Sequence, residues 1–293
     1  MIAASDMEHT HVDDAQRTVE IFAIGNELLV GQVQDTNTHW LIRAVTAAGG
    51  QVRRAGILRD DYTHICAEIT AAVQRAPRLI LTTGGLGPTD DDLTISAIGR
   101  TFGLEMREHP QALEWVRERY AYLATIRPNF SAELNAARRK MALFPVGARP
   151  IYNPSGAAPA MALDVPSAHP AGVTTIVSLP GVPSEMKAIF TTSLRPVLEQ
   201  TIGLACYLEH VLVLDKGDES RIAELLGQLQ ARHPTVYVKS RGQCLEDGLR
   251  LTVVLSIGGK DAAHIRQELA LAEQEAMEGL RQLGYTILRV VES

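Results

Sequence analysis

Cysteine is scarce in this chain of 293 residues: Cys66, Cys206 and Cys244 are odd in number, far apart and never arranged as C-x-x-C. That excludes a disulfide framework and a cysteine-based zinc site, and it suits a reducing compartment. No apolar run reaches about 18 residues, so no membrane-spanning helix is expected. Residues 1–17 are polar, with His9, His11, Asp13 and Asp14, and lack the charged start and apolar middle of a signal peptide. We read them as a disordered tail whose two histidines are not a metal site, and expect a cytoplasmic protein without a membrane partner. Basic clusters are missing too, apart from Arg138-Arg139-Lys140, and the net charge is −6. Nucleic acid is therefore not the expected partner, and the short basic run reads as a solvated helix face. Neither Gly-x-Gly-x-x-Gly nor Gly-Lys-Ser/Thr occurs after the glycine-rich turn, which excludes the dinucleotide fingerprint and the Walker loop. No internal repeat or low-complexity segment is evident.

What is present is a 46% hydrophobic composition and length enough for two domains. Val19–Ile24, Gln51–Leu58 and Arg78–Thr83 read as strands, separated by helical patterns over Asn37–Ala48 and Tyr62–Gln74 and followed by one over Thr94–Phe102. This alternation predicts a mostly parallel sheet flanked by helices. Residues 105–142 read as a helical excursion, whose Trp115, Tyr120 and Tyr122 are taken as packing residues rather than a base-stacking platform. Arg149–Tyr152, Ala160–Val165 and Val173–Leu179 continue as strands, and Ser184 is the expected N-cap of a helix reaching Leu198. From about residue 203 the pattern restarts. Strands at Cys206–Leu214, Thr235–Lys239, Leu249–Ile257 and Tyr285–Val291 alternate with helices at Asp218–Ala231 and Asp261–Leu280. That is a small α+β domain in the ferredoxin-like order β-α-β-β-α-β. The expected domains are residues 18–202 and 203–293.

The most informative segment is Leu79-Ile80-Leu81-Thr82-Thr83-Gly84-Gly85-Leu86-Gly87-Pro88-Thr89-Asp90-Asp91-Asp92-Leu93-Thr94. A strand runs into a glycine loop, where backbone N–H groups can approach a ligand, and a helix follows whose start favours phosphate. Three carboxylates there would repel a bare phosphate, but they fit if a divalent cation lies between. Ligands on parallel sheets sit beyond the carboxyl ends of the strands, where Gly25-Asn26-Glu27 also falls.

Three segments carry a family resemblance: Gly25-Asn26-Glu27-Leu28-Leu29-x-Gly31-x-x-x-Asp35-Thr36-Asn37, the Thr83–Thr94 loop, and Leu179-Pro180-Gly181-Val182-Pro183-Ser184-Glu185-Met186. In this order and spacing they resemble the N-terminal part of the competence/damage-inducible protein A family, CinA, over about residues 19 to 290. The resemblance implies a molybdopterin-binding-like domain followed by the small domain. It also implies hydrolysis of ADP-ribose to AMP and ribose 5-phosphate, with a divalent cation (Mg, Mn or Co) and potassium as a second candidate ion. Longer relatives add a nicotinamide-mononucleotide deamidase domain, and that activity is not expected here. Relatives usually carry Gly-Thr-Ala-Pro-Gly where this chain has Gly156-Ala157-Ala158-Pro159-Ala160, followed by Met161. The alternative is a pterin-binding protein without hydrolase activity.

The candidate catalytic residues are Asp35, Asp91 and Asp92, and the candidate metal ligands are Asp90, Asp92 and Glu27. The residue types leave metal holding and water activation unassigned among them. Asp92 matches the Asp-x-Thr of the wider domain family. Substrate contacts are expected from Thr83, Gly84, Gly85, Gly87, Pro88 and Thr89. The opposite wall is assigned to Asn153, Ser155 and Gly156, and a second helix start to Gly181 and Ser184. Asp60 and Asp61 read as helix caps, and His39, His64 and His233 as ordinary histidines. The strand Leu249–Ile257 is apolar at nearly every position from Leu251 to Leu255, so it needs cover on both faces. A homo-oligomer, most simply a C2 dimer, would supply it; the two helices of the same domain, with the first domain, are the competing cover.

Overall fold

The computed structural model describes residues 17–127, 131–203, 206–245, 248–259 and 261–292. The expected tail, with His9 and His11, falls almost entirely outside the described residues. The chain divides into two compact units after Gly203, with Ala47–Gly49 grouped with the second.

In the first unit six strands form one sheet in the order β2-β1-β3-β8-β7-β6. These are β1 (Thr18–Ile24), β2 (Gln51–Leu58), β3 (Leu79–Thr83), β6 (Arg149–Ile151), β7 (Ala160–Pro166) and β8 (Val173–Leu179). The pairs β1/β2, β1/β3 and β3/β8 are parallel, whereas β7 runs antiparallel to β6 and β8. Every residue of β1 and β3 is buried, as expected for strands covered on both faces. The helix Tyr62–Gln74 buries Ile65, Ile69 and Ala72 in a core with Phe22, Ile80, Ile98 and Phe144. Helices Thr36–Ala47 and Pro183–Thr191 bury Leu41, Val45, Met186 and Ile189. The excursion 105–142 is not purely helical: β4 (Met106–Glu108) pairs with β5 (Leu143–Pro145) and closes it as a ribbon.

Two helices differ from expectation. The one expected to run to Leu198 is split into Pro183–Thr191 and Arg195–Thr201. Pro196 lacks an N–H and would clash with the carbonyl of Thr192. Its N-cap is Val182, with Pro183 opening the helix, so Ser184 does not cap. In the second unit the helix expected from Asp218 begins at Ala223. Asp218 instead accepts the backbone N–H (3.2 Å) and hydroxyl (2.7 Å) of Ser220, a local turn that competes with helix.

The second unit has the strand order β10-β11-β9-β12, all antiparallel, from β9 (Cys206–Leu214), β10 (Tyr237–Leu245), β11 (Gly248–Gly259) and β12 (Ile287–Glu292). With helices Ala223–Arg232 and Ala262–Gln282 this is the ferredoxin-like arrangement. The apolar strand β11 is central. Leu251, Val253, Leu255 and Ile257 pack with Leu229, Ile265 and Leu269, so the helices cover one face.

The side chain of Glu20, on β1, is 5% exposed and is held by Arg75 Nε (2.8 Å) and Nη2 (2.6 Å). Arg75 also reaches Glu68 at 2.7 Å. Removing the arginine would strand a buried carboxylate, so Arg75→Ala is expected to lower stability by about 3 kcal/mol. Urea unfolding measures this, with the conservative Glu20→Gln, Arg75→Ala double variant expected to recover part of the loss.

Candidate functional site

The loops after β1, β2, β3 and β8 meet beyond the carboxyl ends of these strands and enclose a cavity of about 490 Å³. That volume is typical of a small-molecule site, and its position is the one parallel sheets favour. The floor is backbone. Gly84 and Gly85 adopt φ +107° and +68°, which a residue with a Cβ rarely does. A Cβ on Gly84 would collide with the carbonyl of Ile24, and one on Gly181 would stand 3.3 Å from Gly84 Cα. Asn37, buried, ties the loops together by donating to Thr83 Oγ1 (3.1 Å) and Gly181 O (2.8 Å).

The walls carry six carboxylates, Glu27, Asp35, Asp60, Asp91, Asp92 and Glu185, and among the described residues no Lys, Arg or His lines this cavity. The acids do not serve the following helix, as a capping role would require. That helix begins at Thr94 after Leu93, without a side-chain cap, and Asp90–Asp92 lie in the turn before it. Its start is also closed: Thr94 N donates to Gly85 O (3.2 Å) and Thr94 Oγ1 to Gly84 O (2.8 Å). The expected anion site at this helix start is therefore occupied by the glycine loop itself.

Asp92 Oδ2 accepts Thr89 N (2.9 Å) and Thr89 Oγ1 (2.6 Å), and the same hydroxyl lies 2.5 Å from Asp91 Oδ1. The Thr89 hydroxyl holds Asp91 below the usual carboxylate range, aided by the Asp91 backbone and by Lys140 nearby. Asp35 Oδ1 accepts Thr38 N at 2.9 Å, leaving its other oxygen at the cavity edge.

The structure brings together Asp35, Asp91, Asp92, Glu27, Gly84, Gly85, Gly87, Pro88 and Gly181, as the sequence suggests, and sets other candidates apart. Thr83 lines the cavity, but its hydroxyl donates to Pro180 O (2.9 Å) and accepts from Asn37, so it is not offered to a phosphate. Thr89 is turned to Asp91 and Asp92. Asp90 lines a neighbouring cavity of about 240 Å³ with Lys140 and Tyr62. Asn153 is buried and spent internally: it donates to Ala158 O (2.9 Å) and Glu185 Oε2 (2.7 Å) and accepts Ser155 N and Gly156 N. Ser155 and Ser184 are exposed and line neither cavity wall. Gly156 packs under the Glu185 carboxylate, which a Cβ would displace.

Asp60 is the residue that sequence reasoning misplaced. Asp61 is the cap, accepting His64 N at 2.8 Å, whereas Asp60 enters the cavity. Its carboxyl is pushed up to about 6, first by burial and, against a hydrogen bond from Leu93, by Asp92, Asp91 and Glu27. Its Oδ1 is buried without a partner among the described residues, as is Asn37 Oδ1. The available signal was positional: Asp60 follows the carboxyl end of a parallel strand by two residues. The donor set is all oxygen, as hard divalent cations require. Among the described residues no three acidic or histidine side chains already converge into a coordination site.

Comparison with known proteins adds a lineage to this geometry. Residues 20–200 match the family described as a probable molybdopterin binding domain. A protein of Aeropyrum pernix is 36% identical over 268 residues, covering 91% of this chain and 95% of its own. Another, of Thermoplasma acidophilum, is 29% identical over 274 residues, covering 93% of this chain and 100% of its own. The crystal structure of the protein CinA, with unknown function, from Thermoplasma acidophilum aligns with a TM-score of 0.55 at 31% identity, over 63% of this chain and 99% of that one. The chain belongs to the family of probable molybdopterin-binding domains. Within that family it is CinA-like.

The Asp60 environment sets a pH dependence. Because the folded pKa lies above the unfolded value of 3.8, the native state holds the extra proton between 3.8 and about 6, and stability falls as pH rises through that window. With a chelator present, Asp60→Asn is expected to melt higher than the unsubstituted protein at neutral pH. The gap should close as pH drops from about 6 toward 3.8. Thermal melts across this range measure it, and a pH-independent gap would contradict the assignment.

Proposed function

We propose that the protein hydrolyses the pyrophosphate of ADP-ribose, or of a related nucleoside diphosphate, to AMP and ribose 5-phosphate with the help of a divalent cation. The observation that carries this reading is a small-molecule cavity walled by six carboxylates without a basic side chain. Such a wall repels a bare pyrophosphate and favours one that arrives with Mg, Mn or Co. Glu27, Asp60, Asp91 and Asp92 are the candidate holders. Asp90, on the neighbouring cavity, is not retained among them. A bound cation would neutralise phosphate charge and lower the pKa of water. The chain's own work is positioning and proton transfer. The Gly84–Gly87 backbone lets the ligand approach closely, and the Asp60 carboxylate, on the cavity wall, is the candidate to take a proton from the attacking water. Asp35 and Asp91 stand at the same cavity as further acceptors. Water adds to one phosphorus, the bridging P–O bond breaks, and the second phosphate leaves with its sugar.

A second reading, a pterin-binding protein without hydrolase activity, is favoured by the description of the matching family. Incubation with ADP-ribose and each divalent ion, with and without potassium, followed by detection of AMP, separates the two. Turnover supports the hydrolase, whereas tight pterin binding with no turnover under any ion supports the alternative. Asp92→Ala is expected to abolish metal-dependent turnover. It should lower stability by only about 1 kcal/mol, comparable to a lost cap, since its two bonds are made within the loop. An unchanged hydrolysis rate in this variant would make Asp92 a loop fastener only.

We also propose a homodimer. The small domain exposes Tyr237, Leu288 and Val291 on its outer strands, and C2 pairing is the commonest way for such residues to gain cover. Light scattering over a dilution series should return the mass of two chains; one chain at every concentration would reject it.

A further inference from the structure

Beside the acidic cavity lies a second one of about 290 Å³, lined by Trp115, Glu118, Arg119, Tyr122, Tyr152 and the loop around Asn153. Only a thin partition separates them. Ala157 lines both cavities, and Asn153, on the second, donates to Glu185, on the first, at 2.7 Å. The two differ sharply in chemistry. The first is acidic and floored by glycine backbone. The second is walled by three aromatic rings and holds an arginine.

Those aromatics are not core. Tyr120 packs against the main hydrophobic cluster, as the sequence suggests, but Tyr122 and Tyr152 are 53% and 47% exposed. Trp115 and Tyr152 meet edge to face, with centroids 5.3 Å apart. The Arg119 guanidinium stands 5.7 Å from the Tyr122 centroid, and one of its terminal nitrogens donates to Ser155 O. Its Nε is buried and has no partner among the described residues. A guanidinium N–H left unsatisfied in a buried position is costly, and the Arg119 guanidinium is the cationic donor on this cavity wall. Glu118, next to it on the cavity wall, accepts only. Aromatic faces with one donor and one acceptor match a flat heterocycle carrying a ring nitrogen beside an exocyclic amine.

We propose that this second cavity is the base subsite of a nucleotide ligand: an amino-bearing base, adenine foremost, packs against Trp115 and Tyr152, donates its amine to Glu118 and accepts from the Arg119 guanidinium. This rests on the nucleotide reading of the acidic cavity for where the phosphates go, but not on hydrolysis. The partition then lets base and pyrophosphate occupy chemically opposite chambers.

Trp115 reports on its own site. In a Trp40→Phe background it is the single tryptophan, and its fluorescence is titrated with AMP, UMP and ribose 5-phosphate, each with Mg. AMP should quench it and bind at least about tenfold more tightly than UMP, which lacks the amine, or ribose 5-phosphate, which lacks the base. Arg119→Ala and Glu118→Gln should each weaken AMP by about tenfold and leave ribose 5-phosphate unaltered. Equal binding of AMP and UMP, unaltered AMP affinity in both variants, or no response to AMP overturns the subsite. The comparison of ligands on the otherwise unsubstituted cavity stands even if a variant misfolds. Quenching by AMP without hydrolysis of ADP-ribose would keep the subsite and remove the hydrolase. Hydrolysis with an unaltered KM in Arg119→Ala would do the reverse.

Discussion

The site depends on one close approach: the backbone of Gly84 lies against the carbonyl of Ile24, with Gly181 against its other side. Loops after three parallel strands meet there without any side chain between them. The positive φ at Gly84 and Gly85 turns the chain at the end of β3, and no residue with a Cβ could follow the same path without pushing β1 and β8 apart. Asn37 and Thr94 then fasten the junction with buried hydrogen bonds. The cavity above exists because these loops are held so close below it.

On that floor the chain concentrates like charge. Carboxylates from the connections after four strands line one volume, and the consequence is visible in Asp60, whose carboxyl resists ionisation because burial and three neighbouring acids oppose a further negative charge. A fold does not gain stability from such a cluster, which makes the cluster a property of the site rather than of the core. The hydrogen bond from Thr89 stabilises the ionised form of Asp91, so acids of one cavity are shifted in opposite directions.

Much of this was legible in the chain. Alternation of apolar strands with helices carrying one buried face predicts a parallel sheet, and parallel sheets place their ligands at the carboxyl ends of strands. Gly84-Gly85-x-Gly87 before three aspartates marked the loop. Three of the misplacements share a cause: hydroxyls and amides that look free in a sequence are spent on other protein groups in the fold. Thr83 serves Pro180, Thr89 serves its own loop, and Asn153 organises Ser155 and Gly156. Satisfying buried polar groups takes precedence over ligand contacts, and which partner satisfies each is decided only when the loops take their folded shape.

The sequence by itself determined the two-domain α/β and α+β organisation, the family resemblance, and the loop that carries the acids, because periodicity and glycine placement are local properties. Tertiary structure alone decided which acids share a cavity. Asp60 and Asp61 are neighbours in the chain, yet one caps a helix and the other enters the site, since a strand end directs adjacent side chains to opposite sides. It also decided that Trp115, Tyr122 and Tyr152 line a chamber instead of the core. For Trp115 and Tyr122 that depends on how the helix Pro110–Ile126 packs Ala112 and Val116 into the main core, a long-range arrangement that no local pattern encodes.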